Sequence, residues 1–439
     1  MSQILCLDFG TSSLRAALLD YTEKQKVLPI GLSVRSALDD ASIRSDILLS
    51  SDGNKIYLAE EAMKSRGSQK YLLYDASPKL WLKNPEYLSK SIISGSEVTR
   101  EMLLTALVAY ALSACINAAK LSYAEFNALD IRMSHPIWEE SVASEVNTSH
   151  EKILRTAIKL APEIKNGVIS TEIFTYKYLE LINTKQNKIS KQIEVLEPIA
   201  AALTLLPNQD NIPRIAIVVD IGAGTTDIGI FQIIYPDESS NKKRSLIPIG
   251  KAISLFTAGN AVDRILLDHI ISETSIKIQD DKLQDVEIRI RQIKERLFSD
   301  GVIRELDVNL KLKDFLTNPK LKNIYARIRT AIQNCLSDPE NYKTLEPFYR
   351  NRSIKQLDIV MGGGGGSLSF ITFPLKSEQF NLGKNILSVN ILEPNTELRI
   401  PLFSASLERL AVALGGSNYE YENLKTKHTE PIYVMRGSM

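Results

Sequence analysis

Residues 215–234, "IAIVVDIGAGTTDIGIFQII", pass from an aliphatic run through Asp220 into a turn of glycines and hydroxyls, then into a second alternating aliphatic run. Both runs have the length and β-branched content of strands, and Gly222, Ala223, Gly224, Thr225 and Thr226 lie between them, so the stretch reads as a β-hairpin. A dinucleotide-binding fingerprint would need glycine at the sixth position of GAGTTD and a helix beyond it. Here the sixth position is Asp227 and the continuation is β-patterned, which rejects a Rossmann reading.

The same layout stands near the start, where "DFGTSS" (8–13) joins the strand-like "QILCLDF" to "LRAALLD". A Walker A loop is excluded because no GxxxxGK[ST] string occurs. In a hairpin tip, Gly10 lets the backbone approach a phosphate closely, and the amides and hydroxyls of Thr11, Ser12 and Ser13 can donate to its oxygens. Asp8 would repel phosphate directly, but it suits a magnesium ion held through that ion's waters. Taken alone, such a tip is also an ordinary Asx or Ser/Thr turn. Its recurrence 212 positions later, at Asp220, favours two similar lobes facing a shared polyphosphate, each supplying one aspartate to one metal. A third element, "LDIVMGGGGGSLSF" (357–370), runs a hydrophobic strand into five glycines. That run suits a flexible linker or, because a strand directly precedes it, a bend against which a base and ribose can lie.

A chain of 439 residues is long enough for two or three domains, and its 44% hydrophobic and 24% charged content is that of a globular protein. Lys and Arg number 53 against 52 Asp and Glu, so no general attraction to nucleic acid or anionic lipid is expected. Cys6, Cys115 and Cys335 are too few and too scattered for a disulfide framework or zinc knuckle, and a reducing cytoplasm fits them. No secretion signal is expected at the N-terminus, where Asp8 interrupts a short apolar run. "LLTALVAYALSACINAA" (103–119) is expected to be a buried, Ala-rich helix, short of the roughly 20 residues that span a bilayer. His135, His150, His269 and His428 show no metal-ligand spacing, and no HExxH or GxSxG string occurs. "VEIRIRQIKERLF" reads as an amphipathic helix, and "YPDESSNKKRS" (235–245) as a solvated loop.

In that order, the two hairpins and the glycine bend resemble the actin-like ATPase superfamily, and within it the nucleotide-binding domain of DnaK-type (Hsp70-like) heat-shock chaperones. "LEPIAAALTLL" (196–206) is similar to that family's connecting helix. "SHPIW" (134–138) is similar to the strand before a lobe-one helix, and "TAGNAVDRILLDHI" (257–270) to its third glycine segment. "SPKLWL" (77–82) falls where the family carries its catalytic lysine, and "LERLAVALGG" (407–416) resembles the final helix. The resemblance implies an α/β fold of two lobes, each a ribonuclease-H-like mixed sheet flanked by helices, with the nucleotide in the cleft between them. Lobe I would be 1–198 plus 366–439, and lobe II 199–365.

It also implies ATP or ADP with Mg2+ as cofactors. Asp8 and Asp220 would hold the metal. Gly10, Thr11, Ser12, Ser13, Gly222, Ala223, Gly224, Thr225, Thr226 and Gly259 would line the phosphates, while Lys294, Gly363, Gly364 and Gly365 would meet adenosine. Lys79 would stabilise charge on the γ-phosphate and orient water, helped by Glu197, Asp227 and Thr225. Ala223 replaces a family glycine, and in "RQIKERLF" (291–298) Glu295 replaces a basic residue and Arg291 an acidic one. The 73 residues after Gly366 leave no room for the family's peptide-binding domain or lid, so chaperone activity in cis is not expected.

The expected function is an ATP-hydrolysing molecular switch, slow alone, whose closure is read by a separate protein partner or client, with a J-domain or nucleotide-exchange partner in the same cycle. A filament-forming ATPase of the plasmid-segregation or division type is the alternative, with monomer favoured over filament. A small-molecule kinase of the same superfamily is the third reading, since "LDFGTSSLRAALLD" also resembles the opening of sugar kinases. No acceptor-binding segment with a candidate base accompanies it.

Overall fold

The aliphatic runs on either side of each turn become paired strands, and every other strand of the two main sheets is added to such a hairpin. The structure is a computed structural model. It describes residues 3–418 except 21, 23, 37, 69, 139, 184–192, 208–213, 235–244, 274–279, 306–307, 351, 353–354, 367 and 395–406. His428 and all but Ser245 of the loop expected at 235–245 lie outside the described residues. Among the described residues the fold is mixed α/β, in two compact units: the residues up to Thr204 together with 407–418, and residues 205–394.

The first unit contains β1 (Ile4–Phe9), β2 (Ser13–Leu19), β3 (Gln25–Val27), β4 (Ser42–Arg44), β5 (Ile47–Ser50), β6 (Lys55–Leu58), β7 (Tyr71–Asp75), β8 (Asp130–His135), β9 (Val168–Ser170) and β10 (Ile193–Leu196). Its main sheet has the order β10-β8-β1-β2-β3, with β4 also on β2, and β7-β5-β6-β9 form a smaller sheet. β1 is antiparallel to β2 and parallel to β8, which is parallel to β10. All six residues of β1 are buried, as a central strand covered on both faces requires. Leu5, Leu7 and Phe9 join the large core that includes helix Arg100–Ala119, while helix Leu407–Ser417 packs on β1, β2, β3 and β8. Gly416 allows that second packing, because a Cβ there would strike the Cys6 sulfur on β1, and Gly415 lets the same helix approach helix Glu197–Leu205, where a Cβ would strike the Ala200 carbonyl.

Helix Arg100–Ala119 is a full 20 residues, longer than the apolar segment expected to be too short. By length and composition it could cross a membrane, and 72% of its most apolar window is buried inside the protein.

The second unit contains β11 (Arg214–Ile221), β12 (Thr226–Ile234), β13 (Ser245–Leu255), β14 (Val302–Glu305), β15 (Val308–Lys311), β16 (Gln356–Gly362), β17 (Gln379–Leu382) and β18 (Asn385–Leu392). Its main sheet has the order β13-β12-β11-β16-β18-β17. β11 is antiparallel to β12 and parallel to β16, which is parallel to β18. The amphipathic run within helix Asp280–Asp300 buries Val286, Ile293 and Leu297 on one stripe, in one core with β11 and β12.

Five strands of each main sheet therefore repeat one plan. A hairpin is extended by a third antiparallel strand on one side and by two parallel strands on the other. The unit boundaries differ from 198 and 366. β18 continues the second sheet beyond the glycine run by pairing with β16, Leu357 opposite Val389, so residues 366–394 belong to the second unit. Helix Glu197–Leu205 stays with the first unit through Thr204, whose hydroxyl donates to the Ala411 carbonyl at 2.7 Å.

Candidate functional site

In the first unit three parallel strands end side by side, the edge at which α/β sheets present ligand-binding groups. β1 carries Asp8, β8 carries Ser134, and Glu197 follows β10 as the first residue of its helix. Ser134 donates to Asp8 Oδ1 at 3.0 Å and lies 3.4 Å from Glu197 Oε1. Lys79 sits on the 3-10 turn Pro78–Lys83, fixed by buried Trp81, whose indole donates to Asp75 at 2.7 Å. Its Nζ ion-pairs with Glu197 and lies 5.8 Å from the centre of the Phe9 ring. Asp8, Lys79, Ser134 and Glu197 are all buried.

Burial pushes the Asp8 carboxyl up to about 6, with the Glu197 charge adding to the rise and Arg15, Lys79 and Ser134 opposing it. Behind this group His150 is held well below the ordinary imidazole range, first by burial, then by His135, with Lys79 contributing.

Four residues, Gly10 to Ser13, lie inside the last β1–β2 pair, Phe9 opposite Leu14, with Asp8 opposite Arg15; Ser13 already belongs to β2 through its pairing with Arg44. Arg15 Nη1 is 3.9 Å from Asp8 Oδ2. Ser45 ties the loop down, its hydroxyl donating to the Thr11 carbonyl at 2.8 Å and its amide to the Ser12 carbonyl at 3.3 Å. Thr11 and Ser13 are buried, whereas Gly10 and Ser12 are partly exposed.

The second loop has the same length: Ile221 faces Thr226, Asp220 faces Asp227, and Gly222 to Thr225 lie between. The Gly222 amide closes the turn on the Thr225 carbonyl at 2.9 Å. The amides of Gly259 and Asn260, at the start of helix Gly259–Glu273, donate to the carbonyls of Gly222 (3.1 Å) and Ala223 (2.7 Å). Gly259, expected at a phosphate, thus spends its amide on the hairpin. Thr226 donates to the Thr257 carbonyl at 2.7 Å, and Ser254 donates to the buried Asp227 carboxylate.

Lys294, expected at adenosine, pairs with Asp263 at 2.7 Å and donates to the Gly259 carbonyl at 3.2 Å; Arg291 is 3.7 Å from the same aspartate. The glycine run folds against β11. Gly362 pairs with Asp220, Gly365 donates to the Ile221 carbonyl at 2.8 Å, and Gly363 has φ +72°. A Cβ on Gly363 would meet the Ile221 carbonyl and the Asp220 carboxylate; Gly364 is exposed, Gly363 partly exposed and Gly365 buried.

Within the first unit the expected Asp8, Lys79 and Glu197 thus stand together. Within the second, Asp220 adjoins Asp227 and the glycine run, while Gly259 and Lys294 cluster on the hairpin loop. Sequence reasoning missed Ser134, whose place depends on parallel register that local pattern does not encode, and Asp263, which lies a turn beyond Gly259. Arg15 was within reach, because a hairpin with Phe9 opposite Leu14 must put residue 15 opposite Asp8.

Chemically, a buried carboxylate raised by burial and a like charge gains from a nearby cation, which fits the first strand edge to a hydrated metal ion. Among the described residues no group of three or more His, Cys, Asp or Glu is placed to hold a metal ion. Comparison of the sequence with protein-family models gives no match, and comparison with curated proteins gives none.

Proposed function

We propose that the chain is a magnesium-dependent ATP-binding and ATP-hydrolysing switch with an actin-like ATPase fold, most similar to a DnaK-type nucleotide-binding domain and read by a separate protein partner. The observation that carries this reading is the repeat itself: two sheets of one strand plan, each presenting an aspartate two residues before a glycine that opens a four-residue hairpin loop. A single such turn would be ordinary. The Asp8, Lys79 and Glu197 cluster at one of the two strand edges adds the charged groups that phosphoryl transfer uses.

In this reading Asp8 and Asp220 would accept hydrogen bonds from waters on the magnesium ion, which when bound would neutralise phosphate charge. The partly exposed loop residues Gly10, Ser12, Gly222 and Gly224 would approach the phosphates. Lys79, held by Glu197 and the Phe9 ring, would place a positive charge where negative charge develops, and Glu197 would keep that lysine oriented. Lys294 serves as a strut of the second loop.

Phosphate release from magnesium-ATP tests the proposal. Lys79→Ala is expected to lower turnover by roughly two orders of magnitude or more while ATP affinity stays within a few fold, because the lysine's charge matters most as the transition state forms. Unchanged turnover would remove Lys79 from the chemistry.

A further inference from the structure

We propose that Ser134 orients the Asp8 carboxylate for its metal, as a positioning residue that touches neither metal nor nucleotide. This rests on the nucleotide reading above. The Ser134 hydroxyl is fixed from both sides. Its oxygen accepts the Phe9 amide at 3.1 Å, and its one hydrogen can go to Asp8 Oδ1 at 3.0 Å or to Glu197 Oε1 at 3.4 Å. The Asp8 oxygen is the nearer acceptor, at a normal hydrogen-bond distance, so the serine proton goes to Asp8. The carboxylate is then held by Oδ1 from within the sheet, and Oδ2 is left on the side of Arg15, 3.9 Å away.

Ser134 has no exposed surface, and its backbone carbonyl lies 3.3 Å from Nε2 of His150 on helix Glu140–Leu160, so its hydroxyl is closed off from a ligand by burial. At the equivalent register position of the second sheet no hydroxyl stands. Ser134 lies one step beyond the Leu7–Met133 pair of the β1–β8 register, and the residue paired with Asp220 is Gly362, which has no side chain. The serine is thus a feature of one strand edge and is not required by the repeated topology.

The test is a magnesium titration of ADP binding by the full chain, followed by calorimetry. Ser134→Ala should raise the magnesium concentration for half-maximal binding about tenfold, the low end for losing a hydrogen bond to a charged group, with magnesium-free ADP affinity unchanged. In an Asp8→Asn background the same substitution should have no further effect, because the carboxylate it orients is gone. An equal change in both backgrounds, or none in either, would overturn the assignment. If Ser134→Ala melts below the assay temperature, Ser134→Cys is read in its place: the thiol is a much weaker donor, so a raised magnesium requirement supports the role and an unaltered one contradicts it. Failure of the unaltered chain to bind ADP with magnesium would sink the nucleotide reading and this inference with it, whereas normal binding that Ser134→Ala leaves untouched would sink this inference alone.

Discussion

The two hairpin loops have equal length and the same register, yet they are held by different chemistry. At the first, Asp8 faces Arg15, receives a serine hydroxyl and lies within influence of Glu197, while Ser45 fixes the loop carbonyls. At the second, Asp220 faces another acid, Asp227; the carbonyls of Gly222 and Ala223 take the first amides of a helix, and the glycine run presses on the strand end. Strand order fixes where each aspartate stands. Its neighbours decide its charge and how freely its loop can change, so matched substitutions in the two loops should have unequal effects.

The largest contrast concerns pH. Asp8 is raised to about 6 in the folded chain from an ordinary value of 3.8, so between these values the folded state binds more protons than the unfolded state. Stability from this group is present at low pH and falls as pH rises through that window, by an amount of order 3 kcal/mol in total. His150, held low, acts in the opposite sense: below the ordinary imidazole range the unfolded chain takes up a proton that the folded chain refuses. The measurement is therefore a difference. Without magnesium or nucleotide, unaltered protein should lose stability relative to Asp8→Asn as pH rises from about 4 to 6. A constant difference across that window would show that Asp8 titrates normally.

A smaller contrast concerns the loop glycines. A Cβ on Gly10 would run into the Ser13 carbonyl, backbone held by β2, whereas a Cβ on Gly222 would lie 3.2 Å from the Thr225 carbonyl, a contact that a small shift relieves. Gly10→Ala should destabilise by about 1–3 kcal/mol and Gly222→Ala by about 1 kcal/mol or less, read from urea unfolding midpoints. Equal costs would mean that the two loops relax alike.

Much of this was legible in local pattern. Both hairpins follow from alternating aliphatic runs around Asp-x-Gly turns, and the stripe of helix Asp280–Asp300 from its 3.6-residue spacing. Lys79 and Glu197, 118 positions apart, were proposed from resemblance, and no periodicity could have paired them. What escaped was long-range register. Ser134 reaches Asp8 only because β8 lies parallel to β1, and residues 366–394 stay with the second unit only because β18 pairs with β16. The packing of the glycine run was not legible either. Of Gly363, Gly364 and Gly365, read as ligand contacts, Gly363 abuts Asp220 and Gly365 bonds to Ile221, because chain without side chains packs against its own strand as readily as against a base.

The repeat is most directly tested by calorimetric titration of ATP and ADP, with and without magnesium, into the unaltered chain, Asp8→Asn and Asp220→Asn. The account predicts magnesium-dependent binding that each substitution weakens, because each aspartate would hold waters of a hydrated magnesium ion. Binding of neither nucleotide by the unaltered chain, or full-strength magnesium-dependent binding by both variants, would contradict it.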